Sequence, residues 1–158
     1  MKNDSRTRAE QTVYRLLGRR EHTVKEVERK LLQKGFPKGD IEAVLHTVKE
    51  LGYLDDSKFA QEWLRQTLKN KPMGKRRMVG ELIQKGLEPA YARDFIENEV
   101  DGSAEMQALE TLLDRLVLRK GLNTYSEAKN SLTPYLQRKG FAQEDIKKAL
   151  RDAFSPEM

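Results

Sequence analysis

The sequence has no cysteine and only two histidines, and both shortages exclude whole classes of site. Without cysteine the chain forms no disulfide, thiolate nucleophile or cysteine-ligated metal centre. His22 and His46 lack the H-x-x-x-H spacing that places two imidazoles on one helix face around zinc. Glycine-rich phosphate loops and the G-x-S-x-G nucleophile elbow are also missing. The sequence therefore predicts no catalytic residue, no metal site and no cofactor, and His46 is expected at the surface.

Long hydrophobic segments are missing too. The longest apolar runs are three or four residues, whereas a membrane-spanning helix needs about 20. The first ten residues, MKNDSRTRAE, contain no apolar stretch of the kind found in a secretory signal. We expect a cytoplasmic protein that makes no membrane contact.

Positive charge is present in excess and is unevenly distributed. Lys and Arg number 30 against 25 acids, which gives a net charge of +5. No acid occurs from Trp63 to Gly80, and this stretch carries six cations: Arg65, Lys69, Lys71, Lys75, Arg76 and Arg77. Such a local field attracts phosphate backbones or acidic protein faces. The alternative is a solvated helix face followed by a basic loop.

One phrase occurs three times in the chain. The copies are VERKLLQKGFPKGDIEAVL, MVGELIQKGLEPAYARDFI and LTPYLQRKGFAQEDIKKAL, and their shared glycines are Gly35, Gly86 and Gly140. Aligning these glycines also aligns apolar positions on both sides of them. A period near 50 residues, here 51 and 54, indicates a repeat architecture.

Each copy predicts two helices joined at the glycine. In the first copy, Thr23 and Glu26 form a T-x-x-E capping box, and Gly35 supplies the left-handed residue that ends the helix. The following helix carries an i, i+3, i+4, i+7 stripe: Ile41, Val44, Leu45, Val48 and Leu51. Gly52 ends that helix, and Gly102 is expected to do the same in the second copy. A further helix precedes each pair, at about 6–19, 56–70 and 104–120.

These patterns predict an all-α fold of three tandem three-helix repeats in an elongated, curved array, right-handed or arc-like. The predicted units are residues 1–52, 53–102 and 103–158. A unit of about 50 residues buries little surface alone, so neighbouring units should support one another. Gly80 lies mid-helix and either allows a close approach or is simply tolerated. Pro134 should delay the start of its helix or kink it.

Two adjacent acids, Asp55 and Asp56 in LGYLDDSKFA, could begin a catalytic or metal site or could mark a helix start. Asp55 suits the N-cap, with Leu54 and Phe59 as a hydrophobic staple around it. Asp56 then occupies the first helical position, where the helix dipole favours negative charge. Adjacent helical side chains diverge, so the pair is predicted to be structural.

Three segments resemble the RecX family of bacterial recombination regulators. They are RREHTVKEVERKLLQKGF, KELGYLDDSKFAQEWL and KPMGKRRMVGELIQKGL, and the resemblance extends over nearly the whole chain. It implies a non-enzymatic modulator that binds in the groove of the RecA–DNA filament and spans neighbouring protomers. It also implies inhibition of the ATPase, strand exchange and coprotease activities of RecA, and so regulation of DNA repair and the SOS response.

For the partner-binding site we select the six cations of the basic stretch, three of which, Lys75, Arg76 and Arg77, lie in the family-like segment from Gly74 to Gly86. Three further lysines recur at one repeat position and are added to the site: Lys34, Lys85 and Lys139. Pairing with the helix C-terminal dipole explains them equally well. We expect a monomer whose partner is the RecA filament on DNA, with weak direct DNA contact allowed. The competing hypotheses are a basic helical DNA-binding protein that acts without RecA and a purely structural scaffold.

From the sequence alone, reversing Lys75, Arg76 and Arg77 to glutamate is expected to abolish inhibition of RecA, because it inverts the basic field. The helical circular-dichroism signal should remain. Titration of the variant into a RecA ATPase assay on single-stranded DNA checks this, and unchanged inhibition would contradict the site.

Overall fold

The computed structural model describes residues 2–154, which form helices and no strand. Met1 and residues 155–158, at the outer ends of the first and third predicted units, lie outside the described residues. The helices in the described range are α1 Lys2–Arg19, α2 Val24–Gln33, α3 Lys38–Glu50, α4 Asp56–Asn70, α5 Lys75–Gln84, α6 Pro89–Glu99, α7 Gly102–Lys120, α8 Tyr125–Arg138 and α9 Gln143–Phe154. The prediction of an all-α repeat fold is confirmed.

The chain divides into two compact units. One contains the residues up to Leu64 together with Leu82–Glu88, and the other contains Arg65–Glu81 and the residues from Pro89 onward. The second predicted repeat therefore contributes segments to both units. The three predicted boundaries stay a prediction.

A hydrophobic core fills each unit, and its residues follow the helical spacing of the sequence. In the first unit, α1, α2 and α3 supply Ala9, Val13, Val27, Leu31, Ile41, Val44, Leu45 and Val48, with Leu54 beside them. In the second unit, α7, α8 and α9 supply Leu109, Leu112, Leu113, Leu116, Leu132, Leu136, Ile146 and Leu150, with Phe141 of the α8–α9 turn beside them. Each such side chain contributes about 1.5–3 kcal/mol by leaving water. Leu51 was predicted in the α3 stripe, and this is wrong: it follows the helix and is 56% exposed.

The three repeated glycines end α2, α5 and α8 in the same way. Gly35, Gly86 and Gly140 have φ of 87°, 112° and 93°. In each turn, the N–H of the glycine and the N–H of the next residue donate to carbonyls of the last helical turn. This Schellman arrangement requires a left-handed residue, which costs a non-glycine about 1–2 kcal/mol. The repeat in sequence is therefore a repeat in backbone geometry.

The start of α2 is joined to the following repeat by two hydrogen bonds. The predicted capping box is present, since Thr23 Oγ1 accepts from the N–H of Glu26 at 3.0 Å. The same hydroxyl donates to the Lys85 carbonyl, just before the next turn glycine, at 2.6 Å. The N–H of Val24 donates to Asp56 Oδ1, on the first turn of α4, at 2.9 Å. Helix-start donors of α2 are thus satisfied by the second repeat.

The start of α5 is joined to the third repeat in the same manner. Gly74 takes the place of Thr23, and its N–H donates to the Lys139 carbonyl at 2.7 Å. The N–H of Lys75 donates to Glu105 Oε2, on the first turn of α7, at 2.7 Å. A Cβ built on Gly74 would overlap the Gly140 carbonyl, so the backbones approach too closely for any side chain. The same docking arrangement, in which a helix start lies against the glycine turn of the next repeat, is therefore used twice.

Gly80 and Pro134 were each predicted with two alternatives, of which the structure removes one, and the prediction for Gly102 is wrong. Gly80 makes no close approach, because an added Cβ would meet nothing within 4 Å, and simple tolerance explains it. Pro134 does not delay α8, which starts nine residues earlier at Tyr125 and contains the proline on an exposed face. Gly102 does not end α6; it begins α7, with Asp101 as the side-chain cap.

Two alanine substitutions are expected to change stability in opposite directions. Gly80→Ala should raise the free energy of unfolding by about 1 kcal/mol, because the site is exposed, helical and uncrowded. Gly140→Ala should lower it by more than about 1 kcal/mol, because it combines left-handed strain with a contact 2.6 Å from the Arg77 nitrogen. Urea denaturation followed by circular dichroism measures both. Equal effects would contradict the proposed role of the docked turn.

Candidate functional site

The six predicted cations lie on the last part of α4, the loop after it and the first turn of α5, all in the second unit. We call this the basic segment: Arg65, Lys69, Lys71, Lys75, Arg76 and Arg77. Five of the six are exposed, and only Lys75 is half-buried. The segment contains no acid to offset its charge, as the sequence requires. The contacts of its members differ.

The three cations at the start of α5 are held by intramolecular contacts. Lys75 Nζ lies 3.1 Å from Glu97 Oε2 on α6. The guanidinium groups of Arg76 and Arg77 donate to carbonyls in the last turn of α8, those of Gln137 at 3.3 Å and Arg138 at 3.1 Å. The two arginine contacts hold the third glycine turn against α5. Reversing all three cations would therefore disturb packing as well as charge, which sequence reasoning did not foresee.

Lys69 and Lys71 are the available cations of the basic segment. Both are exposed, Lys69 in the last turn of α4 and Lys71 just after it. Neither forms an ion pair with any residue in the described range 2–154. A phosphate or carboxylate of a partner could therefore reach them without displacing an existing contact.

Two of the three recurrent lysines have the same backbone role. Lys34, Lys85 and Lys139 directly precede the three turn glycines, and the Lys85 and Lys139 carbonyls accept the two docking hydrogen bonds. The Lys139 ammonium lies 5.7 Å from the centroid of the Tyr135 ring. A binding role for the three side chains stays a prediction.

The adjacent acids have two different structural roles. Asp55 is the N-cap of α4, as predicted, since its Oδ1 accepts from the Ser57 N–H at 2.8 Å. Asp56 instead reaches the start of α2, where it accepts from Val24. That second role was missed, although the divergence of adjacent helical side chains was a usable signal. Within the described residues, no group of three His, Cys, Asp or Glu side chains is arranged to hold a metal ion.

His22 is buried at the start of α2, beside the first docking contact. It is 2% exposed, and its Nδ1 donates to the Arg20 carbonyl at 2.9 Å. Burial lowers the pKa of His22 and outweighs the hydrogen bond to the Arg20 carbonyl, which raises it. The charges of Arg20 and Lys30 lower the pKa as well, against the attraction of Glu26. His46 is exposed on α3, as predicted.

Glu26 closes the capping box from the other side. Burial alone would raise the pKa of its carboxyl group, but hydrogen bonds from Arg20 and from the Thr23 N–H outweigh burial and lower it. The Arg20 guanidinium lies 3.1 Å from Glu26 Oε2. The carboxylate is thus held ionised where α2 begins.

None of the helices in the described range is both long and apolar enough to cross a membrane.

Comparison with known proteins identifies the class. The family model for the first three-helix domain of RecX matches residues 9–47, and that for the second matches residues 55–97. The chain is 35% identical over 141 residues to Regulatory protein RecX of Pelodictyon phaeoclathratiforme, covering 87% of this chain and 83% of that one. It is 32% identical over 154 residues to Regulatory protein RecX of Chlorobium limicola, covering 98% and 94%.

A solved structure agrees on the fold. The crystal structure of RecX from Lactobacillus salivarius superposes with a TM-score of 0.80 at 19% identity, covering 95% of this chain and 97% of that chain. Fold and relatives together define an all-α regulatory protein built from three-helix domains. The chain belongs to the RecX family.

Acidification is expected to weaken the fold through His22 first and Glu26 second. Because the pKa of folded His22 is lowered, the unfolded chain binds more protons than the folded chain below about pH 6.5. Stability therefore decreases as the pH is lowered through that window. The lowered pKa of Glu26 removes further stability below about pH 4.5. Urea denaturation between pH 4 and pH 8 measures the slope.

His22→Asn should flatten the slope near pH 6, because asparagine keeps a donor for the Arg20 carbonyl and does not titrate. His46→Asn, at an exposed position of α3, is the matched control. A slope that is lost in the His46 variant and kept in the His22 variant would contradict the assignment.

Proposed function

We propose that this protein is a non-enzymatic regulator that binds the RecA–DNA filament and inhibits its ATPase, strand exchange and coprotease activities. The observation that carries the proposal is the match to regulatory RecX proteins over most of the length of both chains. The family resemblance implies RecA as the partner. By acting on RecA, the protein would regulate DNA repair and the SOS response in the cytoplasm.

The basic segment is the proposed contact surface. It lies within the part of the chain matched by the second RecX domain, and its exposed cations suit the phosphates of DNA or an acidic protein surface. Lys69 and Lys71 would make the contact, because their ammonium groups have no described ion-pair partner. Lys75, Arg76 and Arg77 would mainly hold the first turn of α5 beside them.

Repetition would supply affinity. A filament presents the same protomer surface many times, and a protein with several similar units can contact neighbouring protomers together. Each further contact is then intramolecular and benefits from a high effective concentration. Weak individual contacts would thus add up to stable binding. A protein bound across neighbouring protomers would also oppose the rearrangement of those protomers that ATP hydrolysis requires.

The proposal is tested with Lys69→Glu/Lys71→Glu, which reverses two cations without touching a packing contact. Titrated into a RecA ATPase assay on single-stranded DNA, this variant should need at least about tenfold more protein for half-inhibition, as expected for loss of central interface charges. Lys147→Glu/Lys148→Glu is the matched control, because it makes the same change in net charge at exposed positions of α9.

Equal weakening by both variants would show that net charge alone matters and would contradict the site. Absence of RecA inhibition by the wild-type protein would contradict the function itself. The competing reading, a DNA-binding protein that acts without RecA, predicts binding to naked DNA with a steep dependence on salt and no effect on RecA at matched salt.

A further inference from the structure

The first glycine turn is the vacant counterpart of the two turns that are docked. A Cβ built on Gly86 would lie 2.6 Å from Lys25 Cβ, and one on Gly140 would lie 2.6 Å from the Arg77 nitrogen. A Cβ built on Gly35 would meet nothing within 4 Å. In the described residues, therefore, a helix start covers the second and third turns and leaves the first one open.

The surroundings of the open turn match those of the docked turns. The docked turns are each accompanied by a carboxylate on the first turn of the preceding helix, Asp56 or Glu105. The first turn of α1 carries Asp4, which is exposed and has no hydrogen bond or ion pair with a described residue. Leu32, two residues before Lys34, is 44% exposed. We call Asp4, Leu32 and the Lys34–Gly35 turn the receiving surface.

The start of α8 corresponds to the starts of α2 and α5, but among the described residues it contacts no glycine turn. Thr124-Tyr-Ser-Glu127 repeats the T-x-x-E pattern of Thr23-Val-Lys-Glu26. Thr124 Oγ1 accepts from the Glu127 N–H at 3.2 Å, as Thr23 accepts from Glu26. Thr23 also donates its hydroxyl hydrogen to Lys85, whereas that of Thr124 has no acceptor among the described residues.

α8 is one turn longer than its counterparts, and Thr124 at its start is exposed. The cap precedes the lysine before the glycine by 15 residues in α8 and by 11 in α2 and α5. Four more residues extend a helix by about 6 Å. Leu118, near the end of α7 and six residues before Thr124, is 83% exposed. We call Leu118 and the Thr124–Glu127 helix start the donor surface.

We propose that two copies of this chain associate head to tail, with the donor surface of one copy docked on the receiving surface of the other. Thr124 then donates to the Lys34 carbonyl, as Thr23 does to Lys85. The Tyr125 N–H faces the Asp4 carboxylate, as Val24 faces Asp56. The exposed leucines, one on each surface, are covered on docking.

We assign a second copy to the receiving surface because the two docked turns each bind a helix start of this chain. The start of α8 is such a helix start, and it contacts no glycine turn among the described residues. The required feature is a helix start that donates to the carbonyl before a turn glycine, as the Thr23 hydroxyl and the Gly74 N–H do. Thr124 has such a hydroxyl, and it donates to no described residue. The two surfaces differ, so the contact is heterologous and can add further copies. It is small, so it is expected to be weak in dilute solution and stronger where copies are concentrated. It does not rest on the proposed function, and it differs from the monomer expected from sequence.

Sedimentation velocity of the full-length protein, from about 10 µM to about 1 mM, tests the proposal in the range where weak contacts are populated. The weight-average sedimentation coefficient of the wild type should rise with concentration. Thr124→Asp keeps an N-cap but replaces the donor with a carboxylate facing a carbonyl. Leu32→Arg places a cation on the receiving surface. Each variant should weaken association about tenfold or more.

Three further samples complete the test. Leu51→Arg, also an exposed leucine after a helix of the first unit, should associate like the wild type. Thr124→Ser should as well, because it keeps the hydroxyl. A mixture of Thr124→Asp and Leu32→Arg should form a one-to-one dimer that grows no further, since each variant keeps one working surface.

The proposal is overturned if the wild type stays monomeric over the whole range. It is also overturned if either surface variant associates like the wild type, or if the mixture forms no dimer. Circular dichroism of each variant verifies that the helices are retained.

Discussion

Backbone N–H groups at the start of a helix have no partner within that helix, and in this protein the next repeat supplies one. Val24 and Lys75, the first residues of α2 and α5, donate to carboxylates of Asp56 and Glu105. A hydrogen bond to a charged acceptor contributes about 1.5–3 kcal/mol, and the helix dipole adds to it. Successive repeats are thereby joined by contacts between backbone and carboxylate.

The same constraint decides which cations are available to a partner. Arg76 and Arg77 follow the second docking contact directly, and their guanidinium groups donate to the α8 carbonyls beside it. Lys69 and Lys71 lie before it and extend into solvent. The docking contact therefore divides a stretch that is uniformly basic in sequence: Lys75, Arg76 and Arg77 serve the fold, and Lys69 and Lys71 face outward.

Local features were readable from sequence and long-range ones were not. The capping box at Thr23, the turn glycines and the N-cap role of Asp55 depend on neighbours within a few residues, and all are present as predicted. The contacts of Asp56 and Glu105 join residues 32 and 30 positions apart. No periodicity encodes such a pairing.

The sequence also did not predict which side chains near helix ends are exposed. Leu51 continues the apolar spacing of α3, but the helix ends at Glu50 and the side chain leaves the core. Lysine recurrence before each glycine was visible, whereas the use of the lysine carbonyl as an acceptor was not, because a backbone role leaves no side-chain signature. The alignment of the repeats identified the lysine position before each glycine but did not show that the carbonyl of that lysine accepts a hydrogen bond.

Native-state hydrogen exchange, followed by NMR at individual amides, tests most directly whether the repeats are joined through their helix starts. Val24, Lys75 and Tyr125 are equivalent first residues of α2, α5 and α8, and only the first two donate to a following repeat. The account predicts slow exchange at Val24 and Lys75 and fast exchange at Tyr125 at concentrations where the protein is dilute. Equally fast exchange at all three amides would contradict it.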